Sequence, residues 1–197
     1  MLTKNIKILP KIALFSGVAV ILSFIKIPIF FVPGFYTLEF SDAVALIGSL
    51  LFGPVTGVTI LLLKNVLLYF VKGTQTLAIG SLANFVLGIC FILPYSLIYR
   101  KNKSRKGFVL AFFTSILIES FTSLLLNFYV FLPLYASLLS VNANSFFAGQ
   151  AVPLSANPLF MFIIFCVLPF NLFKYSCNCA AAVIIYKKVV KFLFKRL

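Results

Sequence analysis

Six apolar runs, each stopped by a turn signal or a knot of positive charge, fill most of this 197-residue sequence. A chain this long supports about one soluble domain, and a soluble domain is roughly half apolar. Here 62% of residues are hydrophobic and the mean hydropathy is +1.15. One soluble core could not hide that surface, so lipid must solvate the remainder. In lipid, helices satisfy their own backbone polar groups. At roughly 20 residues per crossing, the sequence predicts an all-α integral membrane protein with six transmembrane helices, forming a single domain over residues 1–197.

The first run covers about Lys11 to Ile27 and stops at Pro28. Pro28 to Leu38 reads as a structured loop. The second run starts near Phe40 and breaks at Phe52-Gly53-Pro54, a turn signal, which leaves about a dozen residues, short for a span. The third covers Pro54 to Val71, the fourth Thr76 to Tyr99, the fifth Gly107 to about Leu134 and the sixth Pro158 to about Tyr186. No cleavage-site pattern follows the first run, so it reads as a span rather than a signal peptide. The stretch from Ala136 to Asn157 is polar.

Charge orients these spans. Seventeen Lys and Arg face three acids, Glu39, Asp42 and Glu119, for a net charge of +14. Thirteen of the cations fall in three patches: Lys4, Lys7 and Lys11; Arg100 to Lys106; and Lys187 to Arg196. Such flanking patches fit the positive-inside bias of membrane proteins better than a nucleic-acid surface. An even number of spans separates each pair of patches, so all three, with both termini, are expected in the cytoplasm. The loops 28–39, 72–76 and 136–157 are then external.

Polar groups inside spans are expensive and mark candidate sites. Asn84 on span four, Asn127 on span five, and Asn171 and Lys174 on span six all fall between the outer surface and the midplane. Asn171, Lys174 and Asn178 share one helix face. Gly80, one turn from Asn84, lets a flat group approach the backbone. Amides and one cation against Phe, Leu and Tyr walls suit reversible capture of a neutral, ring-containing, hydrogen-bonding solute. The bland alternative is that membrane Asn residues hold helices together. Lys64 and Glu119 are expected to pair between spans three and five, with a proton relay as the alternative. Glu39 and Asp42, at the external mouth, either cap the second helix or touch the ligand. Ala13 and Gly17 form a small-residue pair on which another helix could pack.

The sequence excludes several classes. There is no His, which removes the commonest general base and metal ligand. The four Cys lie in apolar segments and read as packing residues. No nucleotide-binding glycine-rich loop of the Walker type is present, so any ATP-driven step needs partners. The chain is not expected to be an enzyme, and no metal or cofactor is expected.

The segment Leu38-Glu-Phe-Ser-Asp-Ala-Val-Ala-Leu-Ile-Gly-Ser-Leu-Leu-Phe-Gly-Pro-Val-Thr-Gly-Val58 resembles the first-loop to third-span region of energy-coupling-factor S components. Asn127-Phe-Tyr129 and Pro169-Phe-Asn-Leu-Phe-Lys174 are similar to the riboflavin-specific branch of that family, and the likeness runs over nearly the whole chain. The resemblance implies a vitamin-capturing subunit of the cell membrane. It would bind riboflavin from outside and dock on a transmembrane coupling subunit driven by two cytoplasmic ATPases. It would then topple to release the vitamin inside. By position, Asn127, Asn171 and Lys174 would bond the ligand, with Asn84, Gly80, Leu38, Glu39 and Phe40 around it. The loop from Tyr36 to Phe40 would close over the site. Ala13 and Gly17 match the docking pair of the family, with glycine in place of the second alanine. A vitamin such as thiamine or a folate, or an ion-coupled secondary transporter, remains the alternative.

Overall fold

A computed structural model of the chain describes residues 8–34, 36–72, 79–138 and 158–194. Six helical segments are found among them. The first, α1, runs over Leu9–Leu22 with Pro10 in its opening turn, where a missing N–H costs nothing. It ends before the predicted Ile27. The Ser23 hydroxyl donates to the Val20 carbonyl at 2.7 Å, and Pro28 disfavours helix at the residue before it. In place of more helix, Ile27 and Pro28 pair antiparallel with Leu38 and Thr37, forming β1 (Ile27–Pro28) and β2 (Thr37–Leu38).

The second helix, α2 (Ser41–Phe52), is the hub of the bundle. Every residue from Ser41 to Leu50 is buried, and α2 packs against α1 and all the long helices but one. Its 12 residues reach only about 18 Å. It stops at Gly53, whose φ of +124° favours glycine. Pro54 then opens α3 (Pro54–Lys72). Small residues let α2 and α3 approach closely: a Cβ on Gly57 would collide with the Ser49 side chain and lie 3.0 Å from the Ala45 carbonyl oxygen.

The remaining helices are longer. α4 covers Ile79–Lys101. α5 begins at Arg105, capped by the Ser104 hydroxyl, which accepts from the Gly107 N–H at 3.1 Å. It runs to Leu126, passes through a π-helical turn (Asn127–Phe131) and resumes as Leu132–Leu138. α6 has the same plan: Pro158–Phe162, a π-turn over Ile163–Val167, then Leu168–Phe194. Among the described residues, four helices are long and apolar enough to cross a membrane. Exposed Phe70, Phe113, Leu117, Phe121, Tyr129 and Ile184 lie on their apolar exterior, and α1 adds Leu14 and Ile21. The molecule is a multi-pass membrane protein.

The basic patches collect at one end. The Lys11 ammonium lies 4.9 Å from the Phe52 ring centroid, and the Arg100 guanidinium reaches the neighbouring Ser49 carbonyl at 3.5 Å. Lys187 sits over the Phe108 ring, and Tyr99 contacts both Phe108 and Tyr186. Lys4, Lys7, Lys195 and Arg196 lie outside the described residues. The opposite end holds a smaller apolar cluster of Val32, Leu132, Phe162, Ile163, Cys166, Val167 and Phe170, where the first loop covers α5 and α6.

Candidate functional site

The polar residues of three helices converge on one pocket. Asn84 and Gly80 from α4, Asn127 from α5, and Asn171 and Lys174 from α6 all line it. Tyr36 of the first loop, Ala83, Leu87, Phe131, Tyr135 and Phe170 complete the wall, and the cavity measures about 70 Å³. Asn84 is sixteen residues from Arg100 on the same helix, about 24 Å along its axis. The pocket therefore lies toward the end opposite the basic patches.

Each polar side chain is set by its neighbours. Asn127 opens the π-turn of α5, a helix defect common at functional sites. Its amide donates to the Ser123 carbonyl at 2.9 Å and the Ser123 hydroxyl at 3.2 Å. The Asn171 amide donates to the same hydroxyl, so Ser123 ties α5 to α6. The Tyr36 hydroxyl donates to Asn127 Oδ1 at 3.2 Å. Burial, then the nearby Tyr135 and Cys166, push the Tyr36 phenol above its ordinary range, so it keeps the proton it donates. Lys174 Nζ donates to Asn84 Oδ1 at 2.7 Å and stands 3.7 Å from Asp42 Oδ2.

Behind Lys174 lies a buried ionic knot. Lys64 Nζ, fully buried, donates to Asp42 Oδ1 at 2.6 Å and to the Ser41 hydroxyl at 3.0 Å, with Glu39 Oε1 at 4.0 Å. Two acids and two lysines thus offset one another, as burial of charge requires. Asn178 clasps this knot to α6. Its amide donates to the carbonyls of Glu39 and Lys174, both at 2.9 Å, and its Oδ1 accepts from the Ala43 N–H at 2.9 Å.

The expected pair of Lys64 with Glu119 does not form. Lys64 is taken by Asp42, and neither Glu119 oxygen has a hydrogen-bond partner among the described residues. The reason is rotational: Lys64 faces the start of α2, which lies between α3 and α6. Capping of α2 by an acid is also absent, since Phe40 occupies the N-cap position without a side-chain bond. Asp42 still lies in the first turn, where negative charge is favoured. Leu38, Glu39 and Phe40 are not among the lining residues of the cavity. Leu38 and Glu39 are buried, and Glu39 faces Lys64. Ala13 and Gly17 lie away from the inward-facing Ile12, Ser16 and Ala19. A Cβ at Gly17 would meet nothing within 4 Å.

Sequence reasoning missed Ser123, Tyr135, Phe131 and Phe170. Ser123 stands one turn before Asn127, a spacing that signals it. The aromatics carry no such mark among 25 Phe and 8 Tyr.

The family model for the substrate-specific component of ECF transporters matches residues 7–186. The chain is 32% identical to riboflavin transporter RibU of Staphylococcus aureus (strain TCH60) over 183 residues, covering 92% of this chain and 89% of the relative. It is 29% identical to riboflavin transporter FmnP of Bacillus subtilis (strain 168) over 171 residues, covering 86% and 85%. A solved S component of a bacterial ECF transporter superposes with a TM-score of 0.77 at 29% identity, covering 96% of this chain and 98% of that one. With a family match over nearly its whole length and a fold to agree, this chain belongs to the substrate-specific components of ECF transporters.

Proposed function

We propose that the chain is the riboflavin-capturing subunit of an ECF importer, a single binding domain over residues 1–197. One observation carries the reading: Gly80, Asn84, Asn127, Asn171 and Lys174, from three helices, line one pocket. Relatives that bear the name riboflavin transporter support the choice of vitamin. The amides and the Lys174 ammonium would bond the heteroatoms of the flavin ring and ribityl chain, while Leu87, Phe131 and Phe170 receive its apolar faces. Leu38, Glu39 and Phe40 would act by anchoring the first loop, whose Glu39 carbonyl is held by Asn178.

In this reading six helices span the membrane, α1 and α2 short, with both termini in the cytoplasm. The clustering of Lys11, Arg100 and Lys187 at one end, and of the pocket toward the other, supports that orientation. The chain would take up riboflavin from outside. The exposed Ala13 and the half-buried Gly17 of α1 would seat a transmembrane coupling subunit powered by two cytoplasmic ATPases.

Titration of riboflavin into detergent-solubilised protein tests the reading. Quenching of flavin fluorescence that saturates at one vitamin per chain is expected. A protein that leaves riboflavin fluorescence unchanged but gains thermal stability with thiamine or a folate overturns it.

A further inference from the structure

A Cβ at position 80 would lie 2.9 Å from the Tyr135 hydroxyl. The phenol therefore approaches the α4 backbone at a distance that suits glycine and crowds any other residue. Both groups line the same pocket, which measures about 70 Å³. Sites that enclose a drug-sized ligand run to about 300–1,000 Å³. The cavity is smaller than such sites, and the phenol takes up part of the room beside Gly80.

The wall is unequally fixed. Phe131 and Phe170 are almost fully buried, and Phe170 belongs to the apolar cluster under the first loop. Tyr36 is bonded to Asn127 and rests against the Phe170 ring at 5.3 Å. Tyr135 is only half-buried, on the short segment Leu132–Leu138 beyond the π-turn of α5. Pro133 sits at the joint and has no N–H, so the helix loses one backbone bond there. A π-turn followed by proline is a weak joint in an otherwise continuous helix.

We propose that the Tyr135 phenol occupies the ring slot against Gly80 in the ligand-free protein, and that the flat ring of the vitamin displaces it. Tyr135 is then a specificity-determining residue: a ligand must present a planar face that makes up for the contact the phenol gives up. The proposal rests on the riboflavin reading and adds to it the location of the ring and the group that leaves.

Stopped-flow quenching of riboflavin fluorescence in solubilised protein tests it, aided by the absence of Trp from the chain. With the slot open in about a tenth of molecules or fewer, Tyr135→Ala should bind riboflavin at least about tenfold faster than the parent. Tyr135→Leu, which keeps an apolar filler for folding, should shift the rate the same way. Gly80→Ala should weaken binding about tenfold, and equally in the Tyr135→Ala background, because the methyl group itself stands in the slot. Unchanged or slower association in both Tyr135 variants overturns the displacement and makes the phenol a fixed wall. Gly80→Ala with parental affinity in the Tyr135→Ala background overturns the slot. A parent protein that fails to quench overturns the riboflavin reading and the slot with it. Quenching by the parent with unaltered rates in the Tyr135 variants overturns the displacement and leaves the riboflavin reading standing.

Discussion

Two lysines lie buried in this bundle, Lys64 fully and Lys174 at 4% exposure, and their surroundings differ in kind. Lys64 is closed on all sides by its own chain: Asp42 at 2.6 Å, the Ser41 hydroxyl at 3.0 Å and Glu39 at 4.0 Å. Lys174 shares Asp42 at the longer distance of 3.7 Å, bonds the Asn84 amide and lines the cavity. The same side chain thus serves as a closed structural counter-ion in one place and as part of an open pocket wall in the other. What separates them is how much of the ammonium the protein has already satisfied.

That contrast predicts different losses. Lys64→Met strips the partner from Asp42 and Glu39 and leaves buried charge uncompensated. We expect the ligand-free protein to lose about 3–5 kcal/mol, read from unfolding in detergent. Pairing the change with Asp42→Asn should recover part of the loss, because one stranded charge goes with it. An equal loss in the double variant would show that Lys64 matters for packing and not for charge. Lys174→Ala should act mainly on binding. Its removal takes a charge-assisted bond from the ligand and weakens riboflavin affinity by about 1.5–3 kcal/mol, roughly ten- to a hundredfold. The ligand-free stability should fall less than with Lys64→Met, since Asp42 keeps its 2.6 Å partner. An unchanged dissociation constant would mean that the ammonium faces away from the vitamin.

Much of this was legible because lipid makes polar side chains costly. Asn84, Asn127, Asn171 and Lys174 stood out as amides and a cation in apolar runs, and a common depth was enough to place them together. Phe52-Gly53-Pro54 marked the α2–α3 turn for an equally local reason: glycine tolerates the φ that the turn needs and proline opens a helix. Choices that depend on helix rotation were not legible. Lys64 could face span five or the start of α2, and spacing along one helix does not decide between neighbours. The two π-turns leave no compositional trace, yet one of them begins at Asn127 and carries Tyr135 beyond it. The aromatic wall was equally hidden, because a Phe that lines a pocket and a Phe that faces lipid meet the same apolar demand. The early end of α1 coincides with a local bond from the Ser23 hydroxyl to the Val20 carbonyl, which composition does not reveal.

The smallest expected effect concerns the acid left over from that pairing. Glu119 is fully buried on α5, and neither oxygen is hydrogen-bonded among the described residues. Unlike Asp42, it closes no ion pair among the described residues. Glu119→Gln keeps the shape of the side chain and breaks no bonded contact, so we expect unfolding stability within about 1 kcal/mol of the parent. Riboflavin affinity should change less than with Lys174→Ala, since Glu119 does not line the cavity. A loss approaching that of Lys64→Met would instead place Glu119 in a closed pair. The division between a satisfied ionic knot and an open pocket would then need a third, equally charged region beneath Ser123.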